Sequence, residues 1–187
     1  MILFINACVR KESRTKQLAD TLLSQLHDEV QTVDLNTAVL PFLTEEALDE
    51  RTAAAKSGDL SHPLCVNAAQ FAAADTVVIA APFWDLSFPA VLKRYLESIC
   101  ITHVTFRYGS NGIPIGMCRA KKLYYLTTAG GPLVKDFGFG YVKALATGFM
   151  GIEDCVCFSA ENLDLSATDV EAVMARAEQE IRDYFKA

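Results

Sequence analysis

The sequence predicts a single α/β domain in which a parallel sheet of five strands is covered by helices on both faces. Three observations lead there. Strand-like and helix-like segments alternate along the chain with no linker between them. The central segment Thr76 to Ala81, TVVIAA, is apolar and rich in β-branched residues throughout, the composition of a strand buried on both faces. At 187 residues, half of them apolar, the chain suits one full-sized core better than two small ones.

The elements follow in order. Met1 to Asn6 is an apolar strand, and Arg14 to Leu26 carries Leu18, Ala19, Leu22, Leu23 and Leu26 at helical spacing. Val30 to Leu35 is a short second strand. Residues 36 to 62 are less regular, with a helix over Glu45 to Lys56 ending near Gly58. After the TVVIAA strand, Pro89 to Cys100 reads as a helix with Pro89 in its first turn. Leu123 to Thr128 is a strand, Val142 to Phe149 a helix, Ile152 to Ser159 the last strand, and Thr168 to Phe185 the last helix, capped by Ser166.

Composition narrows the function. A net charge of −6 disfavours a nucleic-acid partner, which requires clustered Lys and Arg. The longest apolar stretch, Val77 to Trp84, falls far short of the roughly 20 residues that span a bilayer. The N-terminal MILFINACVRK lacks the basic region of a signal peptide. Six scattered cysteines read as core hydrophobes of a reduced, cytoplasmic protein. His27, His62 and His103 have no metal-ligand spacing. Cys155 and Cys157 share one strand face, a core arrangement rather than a ligand pair.

Parallel sheets bind ligands at the carboxyl ends of their strands. Three loops lie there: residues 7 to 15, 82 to 87 and 128 to 132. The first offers hydroxyls, cations (Arg10, Lys11, Arg14) and a helix N-terminus, which together make an anion site. Ser13 and Thr15 could equally be simple helix caps. The loop has no glycine, so it is neither a Walker loop nor a dinucleotide fingerprint. Cys8 followed by Arg14-Thr15 also fits C-x5-R-[ST], the low-molecular-weight cysteine phosphatase signature, which requires a low-pKa thiolate. The glycines of that cradle and an Asp-Pro acid pair are absent. The second loop presents Phe83 and Trp84, apolar surface for a planar ring or ordinary core. The third, Thr127 to Pro132, contains Gly130-Gly131, which let a ligand approach bare backbone.

Taken together, these segments resemble the FMN-dependent NADH-azoreductase and NAD(P)H:quinone oxidoreductase family of the flavodoxin-like fold, over nearly the whole chain. Ser13, Thr15 and Leu18 match its S-x-S-x-x-L phosphate loop, and APFWDLSFPAVLKRYLE matches its A-P-M-Y-N-F stretch. Val104 to Pro114 matches V-T-F-R-Y-x-x-x-G, and Thr128-Ala129-Gly130-Gly131 matches S-x-G-G. Cys8 and Asp85 depart from the usual serine and asparagine, and residues 36 to 62 are abbreviated.

The resemblance implies a flavodoxin-like three-layer sandwich with strand order 2-1-3-4-5 and an FMN site. Cys8, Arg10, Ser13, Arg14 and Thr15 surround the phosphate in that reading. Pro82, Phe83, Trp84, Asp85 and Leu86 flank the ring, and Thr128, Ala129, Gly130 and Gly131 meet its pyrimidine edge. NADH or NADPH is the implied donor. A quinone or azo compound is the implied acceptor, in a pocket lined by Phe106, Tyr108, Phe137 and Phe139 of a homodimer. The chemistry rests on FMN, with no dedicated catalytic side chain and no metal. A flavodoxin-type electron carrier, the cysteine phosphatase and a member that no longer binds flavin remain as alternatives.

Overall fold

Alternation along five parallel strands divides their side chains between two apolar layers. In the computed structural model, which describes every residue except Asp136 and Ala187, these strands are β1 (Ile2–Asn6), β2 (Val30–Asp34), β3 (Thr76–Ala80), β6 (Lys122–Thr128) and β7 (Asp154–Ala160). They pair in the order β2-β1-β3-β6-β7, so the main-sheet strands taken in chain order run 2-1-3-4-5 as expected. Leu3, Ile5, Val77, Ile79, Leu123 and Tyr125 face one layer; Ile2, Phe4, Val78, Ala80, Tyr124 and Leu126 face the other. The first layer packs under α2 (Glu45–Ser57), α3 (Val66–Ala73), α4 (Ala90–Ile99) and α5 (Phe139–Leu145). The second is covered by α1 (Arg14–Leu23) and α6 (Val170–Tyr184), through Leu18, Leu22, Met174 and Ile181.

Local chemistry sets the boundaries. Ser13 caps α1 by accepting from the Lys16 N–H, and Thr44 caps α2 in the same way from Ala47. Gly58, at φ 77°, ends α2 in the left-handed conformation that glycine adopts at least cost. The last helix is capped by Asp169, not Ser166, because Ser166 lies within a turn in which Thr168 donates to Leu165. Pro89 stands one position earlier than expected, at the N-cap of α4. The helix expected over Val142 to Phe149 begins at Phe139 and then widens into a π turn, Ala146–Met150, closed by Gly151 at φ 75°.

One helix and one hairpin lie outside the sequence reading. Helix α3 has eight residues, buries only Ala68 and Phe71, and lacks a side-chain cap, so neither periodicity nor capping announces it. Strands β4 (Phe106–Tyr108) and β5 (Pro114–Gly116) form a small antiparallel hairpin, too short for a periodic signal. Thr105 roots it. Its fully buried hydroxyl donates to the Ile99 carbonyl at 2.6 Å and accepts from Ile101 N–H, satisfying groups at the end of α4.

None of the six cysteines is joined in a disulfide. Burial pushes the thiol of Cys100 up to about 11 and that of Cys118 up to about 12, and raises Cys8 and Cys155 as well. A raised pKa keeps the proton on the folded chain after the unfolded chain has lost it. Stability is therefore full below the unfolded thiol pKa near 8.5 and falls as pH rises toward 12. The urea midpoint is expected to drop steadily from about pH 8.5 upward. Cys100→Ala and Cys118→Ala should flatten that slope, and an unchanged slope in both would refute the assignment.

Candidate functional site

The carboxyl ends of β1, β3, β6 and β7 open into a cavity of about 970 Å³, near the upper limit for small-molecule sites. Its floor begins at the end of β1. Asn6 Oδ1 accepts from Cys8 N–H, and Asn36 Nδ2 donates to the Cys8 carbonyl at 2.8 Å, so the turn into α1 is held on both sides. Ser13 is spent as the α1 cap. That leaves the N–H groups of Arg14 and Thr15 without a partner among the described residues, at the positive end of the helix.

Four cations and four acids line this end. Lys16 pairs with Asp20 at 2.7 Å, while Arg14 reaches the Leu163 carbonyl and Asp164 across the cavity. Gln17 donates to Glu178 at 2.7 Å. Arg10 and Lys11 make no ion pair or hydrogen bond among the described residues, so their charge is available to an anion.

The opposite wall is built by the ends of β3 and β6. Phe83 N–H donates to the Thr128 carbonyl at 3.0 Å, extending the ladder one step beyond the strand and fixing Pro82, Phe83 and Trp84 along the cavity. Beyond Trp84 the chain turns sharply, with Asp85 at φ 50° and Leu86 at φ 67°. The carbonyls of Ala129, Gly130 and Gly131 accept from Leu163, Asp164 and Asn162. Those bonds knit the loop after β6 to the loop after β7, and the Gly130 and Gly131 N–H groups stay unbonded among the described residues. At Gly130 a Cβ would lie 2.3 Å from Asp164 Oδ2, so glycine here makes room for the carboxylate that Arg14 grips.

The predicted residues divide into three groups. Arg10, Ser13, Arg14, Thr15, Pro82, Phe83, Trp84, Thr128, Ala129 and Gly130 converge on the cavity. Thr15 does so with its hydroxyl committed to Thr128 at 2.6 Å, tying α1 to β6. Gly131, Asp85 and Leu86 lie just outside the lining. Cys8 departs from expectation: its side chain is 3 % exposed, packs in the layer beneath α1 and α6, and points its thiol at the Ala80 carbonyl. Burial raises its pKa, and Arg14 is engaged elsewhere. A thiolate nucleophile clamped by an arginine is not what this loop builds, which removes the cysteine phosphatase reading.

The four aromatics expected to form one acceptor pocket do not meet within a single chain. Phe106 is buried edge-on against Phe149, and the exposed Tyr108 meets it edge-on as well, because the hairpin docks on the π turn. Phe137 is exposed. Phe139 lines a second cavity of about 210 Å³ with Phe83, Tyr125, Leu133, Lys135, Gly138 and Cys157. Cys155 and Cys157 pack against the first layer, as their shared strand face implied.

Sequence reasoning missed Leu163 and Asp164, which follow β7. The rule that strand ends carry the site would have found them had it been applied to the fourth strand end as well. Among the described residues no group of three or more His, Cys, Asp or Glu is placed to hold a metal, and no helix is long and apolar enough to cross a membrane.

A five-stranded parallel sheet of this order, with its cavity over the carboxyl ends, defines a flavodoxin-like protein. The chain belongs to the Flavodoxin_2 family of flavodoxin-like folds, whose model matches residues 1–185. It is 35 % identical to FMN-dependent NADH:quinone oxidoreductase 2 of Clostridium acetobutylicum, covering 99 % of this chain and 98 % of that one. It is 36 % identical to the FMN-dependent NADH:quinone oxidoreductase of Lachnoclostridium phytofermentans, over 91 % and 90 % of the two chains. Among solved structures, an azoreductase from Bacillus anthracis superposes with a TM-score of 0.82 at 25 % identity, covering 98 % of this chain and 97 % of that one.

Proposed function

We propose that this chain is an FMN-dependent NADH:quinone oxidoreductase that also accepts azo compounds. The observation that carries the reading is the two-ended cavity. One end offers the open N–H groups of α1 with the uncommitted Arg10 and Lys11; the other offers Phe83, Trp84 and the free amide of Gly130, with that of Gly131 just beyond the lining. A phosphate monoester suits the first end and a planar, electron-rich ring the second, so the residues present fit FMN.

The chemistry that bound FMN supplies is two-electron exchange between a nicotinamide and an acceptor. The protein contributes placement and charge. Arg14 and Thr15 N–H would donate to the phosphate, with Arg10 and Lys11 adding long-range attraction. Phe83 and Trp84 exclude water from the ring wall. Gly130 and Gly131 N–H, fixed by the carbonyl bonds on their far side, would be preorganised donors toward the pyrimidine edge of a bound FMN. No side chain is required as an acid or base.

The reading includes assembly as a homodimer. It is supported by the apolar surface of Tyr108, Ile113, Ile115, Val134, Phe137 and Tyr141, all at least 40 % exposed in the single chain, and by acceptor aromatics that one chain leaves apart. It also includes a cytoplasmic location, supported by the free thiols.

The purified protein is expected to be yellow, or to quench FMN fluorescence on titration to about one FMN per chain, with FAD far weaker. With FMN it should oxidise about one NADH per flavin alone and turn over catalytically when a quinone or azo acceptor is added. Absence of quenching would overturn the assignment. Flavin binding without NADH oxidation would replace the enzyme with an electron carrier.

A further inference from the structure

The turn after Trp84 has a backbone that its sequence does not favour. Trp84 and Ser87 exchange both backbone hydrogen bonds, at 3.0 and 2.8 Å, enclosing Asp85 and Leu86 as a two-residue loop. Both central residues have positive φ, 50° and 67°. Such loops ordinarily carry Asn-Gly or Asp-Gly, since a Cβ crowds the left-handed region. Asp is tolerated there; Leu at the second position is not a residue that selects this shape. Something outside the turn must hold it.

That support comes from the segment leading into α5. Ser87 Oγ donates to the Phe137 carbonyl at 3.0 Å. The next residue, Gly138, lies against the last residue of the turn and the ring of the residue before it: a Cβ there would be 3.9 Å from the Ser87 carbonyl carbon and 3.7 Å from Phe83 Cδ2. The N–H groups of Asp85 and Leu86 make no hydrogen bond among the described residues, and they follow directly on Trp84, the last residue of the ring wall.

We propose that Ser87 is a positioning residue whose hydroxyl, bonded to the Phe137 carbonyl, latches the strained Trp84–Ser87 turn in the shape that offers its central N–H groups to the cofactor. The inference rests on the FMN reading above and adds a coupling to it. The same bond ties the Phe137 main chain to the turn, so the cofactor's contact turn and the backbone that carries an exposed aromatic of the proposed acceptor side are set together. Strain at a functional turn persists only where its surroundings over-determine it, and here the hydroxyl supplies part of that determination.

The test is a double-mutant cycle on FMN affinity. Ser87→Ala is expected to weaken FMN binding between about twofold and tenfold, the range set by one net hydrogen bond, and Ser87→Thr should restore it. Leu86→Gly removes the need for a latch, because glycine adopts the left-handed conformation freely. In the Leu86→Gly background, adding Ser87→Ala should therefore change FMN affinity by less than about twofold. The visible flavin spectrum of Ser87→Ala should shift as well, and that of Ser87→Thr should not. Equal penalties in both backgrounds, or failure of threonine to rescue, would overturn the latch while leaving the FMN reading intact. A wild-type chain that binds no FMN would overturn that reading instead.

Discussion

Gly116→Ala is expected to destabilise the protein by about 3 kcal/mol, the upper range for forcing one methyl into a filled space. At Gly116 a Cβ would sit 2.3 Å from Gly151 N and Met150 C and 2.4 Å from the Met150 carbonyl oxygen. All three are backbone atoms, so no rotamer change relieves the overlap. Either the β4–β5 hairpin lifts away or the π turn beneath it unwinds. For a chain of this size each kcal/mol lowers Tm by about 2–4 °C, so a fall of roughly 6–12 °C follows. Gly148 supplies the control. It lies in the same π turn with open space where a Cβ would go, and Gly148→Ala should be neutral or slightly stabilising. Thermal unfolding followed by far-UV circular dichroism measures both, and equal Tm values for the two variants would show that the hairpin does not rest on that contact.

The hairpin also explains where the sequence was legible and where it was not. β3 announces itself because a strand buried on both faces needs only apolar, β-branched residues, and no turn chemistry is involved. Helix α2 is equally plain, bounded by a Thr44 cap and a left-handed Gly58. The hairpin follows another logic. Phe106 is fixed by its edge-on contact with Phe149, some 40 positions along the chain, and Gly116 by the approach of Gly151. Nothing within three residues of strand encodes either. The V-T-F-R-Y resemblance marked the segment as distinctive, and within the single chain Phe106 packs edge-on against Phe149.

The site shows the same division. The hydroxyls and cations before α1 were legible from residue type alone, as an anion site or as simple helix caps. Which hydroxyl does what was not. Ser13 and Thr15 look alike in sequence, yet one caps the helix and the other bridges to Thr128. Cys8 is adjacent to the loop but belongs to the core, because residues alternate sides as the chain leaves β1. Asp164 lies 150 positions from Arg14 and joins the site only through the fold.

That assignment of Ser13 leads to the largest functional effect. Aspartate caps a helix about as well as serine, so Ser13→Asp should leave α1 and the overall stability within about 0.5 kcal/mol of wild type. It also places a carboxylate at the mouth of the anion end, beside the open N–H groups of Arg14 and Thr15. Two unit charges about 5 Å apart repel by roughly 3 kcal/mol at an effective dielectric of 20, and a phosphate monoester carries nearly two. Salt screening removes part of this at the surface. FMN affinity should therefore fall on the order of a hundredfold, since each 1.4 kcal/mol is a factor of ten. Riboflavin, which has the same ring and no phosphate, should bind the variant as it binds wild type. Ser13→Asn keeps the cap without the charge, and its FMN affinity should stay within about threefold of wild type. Fluorescence titration of the three proteins with both flavins decides the matter. Equal losses for FMN and riboflavin would mean that the substitution deforms the loop, and an unaffected FMN affinity would mean that the phosphate binds elsewhere than at the start of α1.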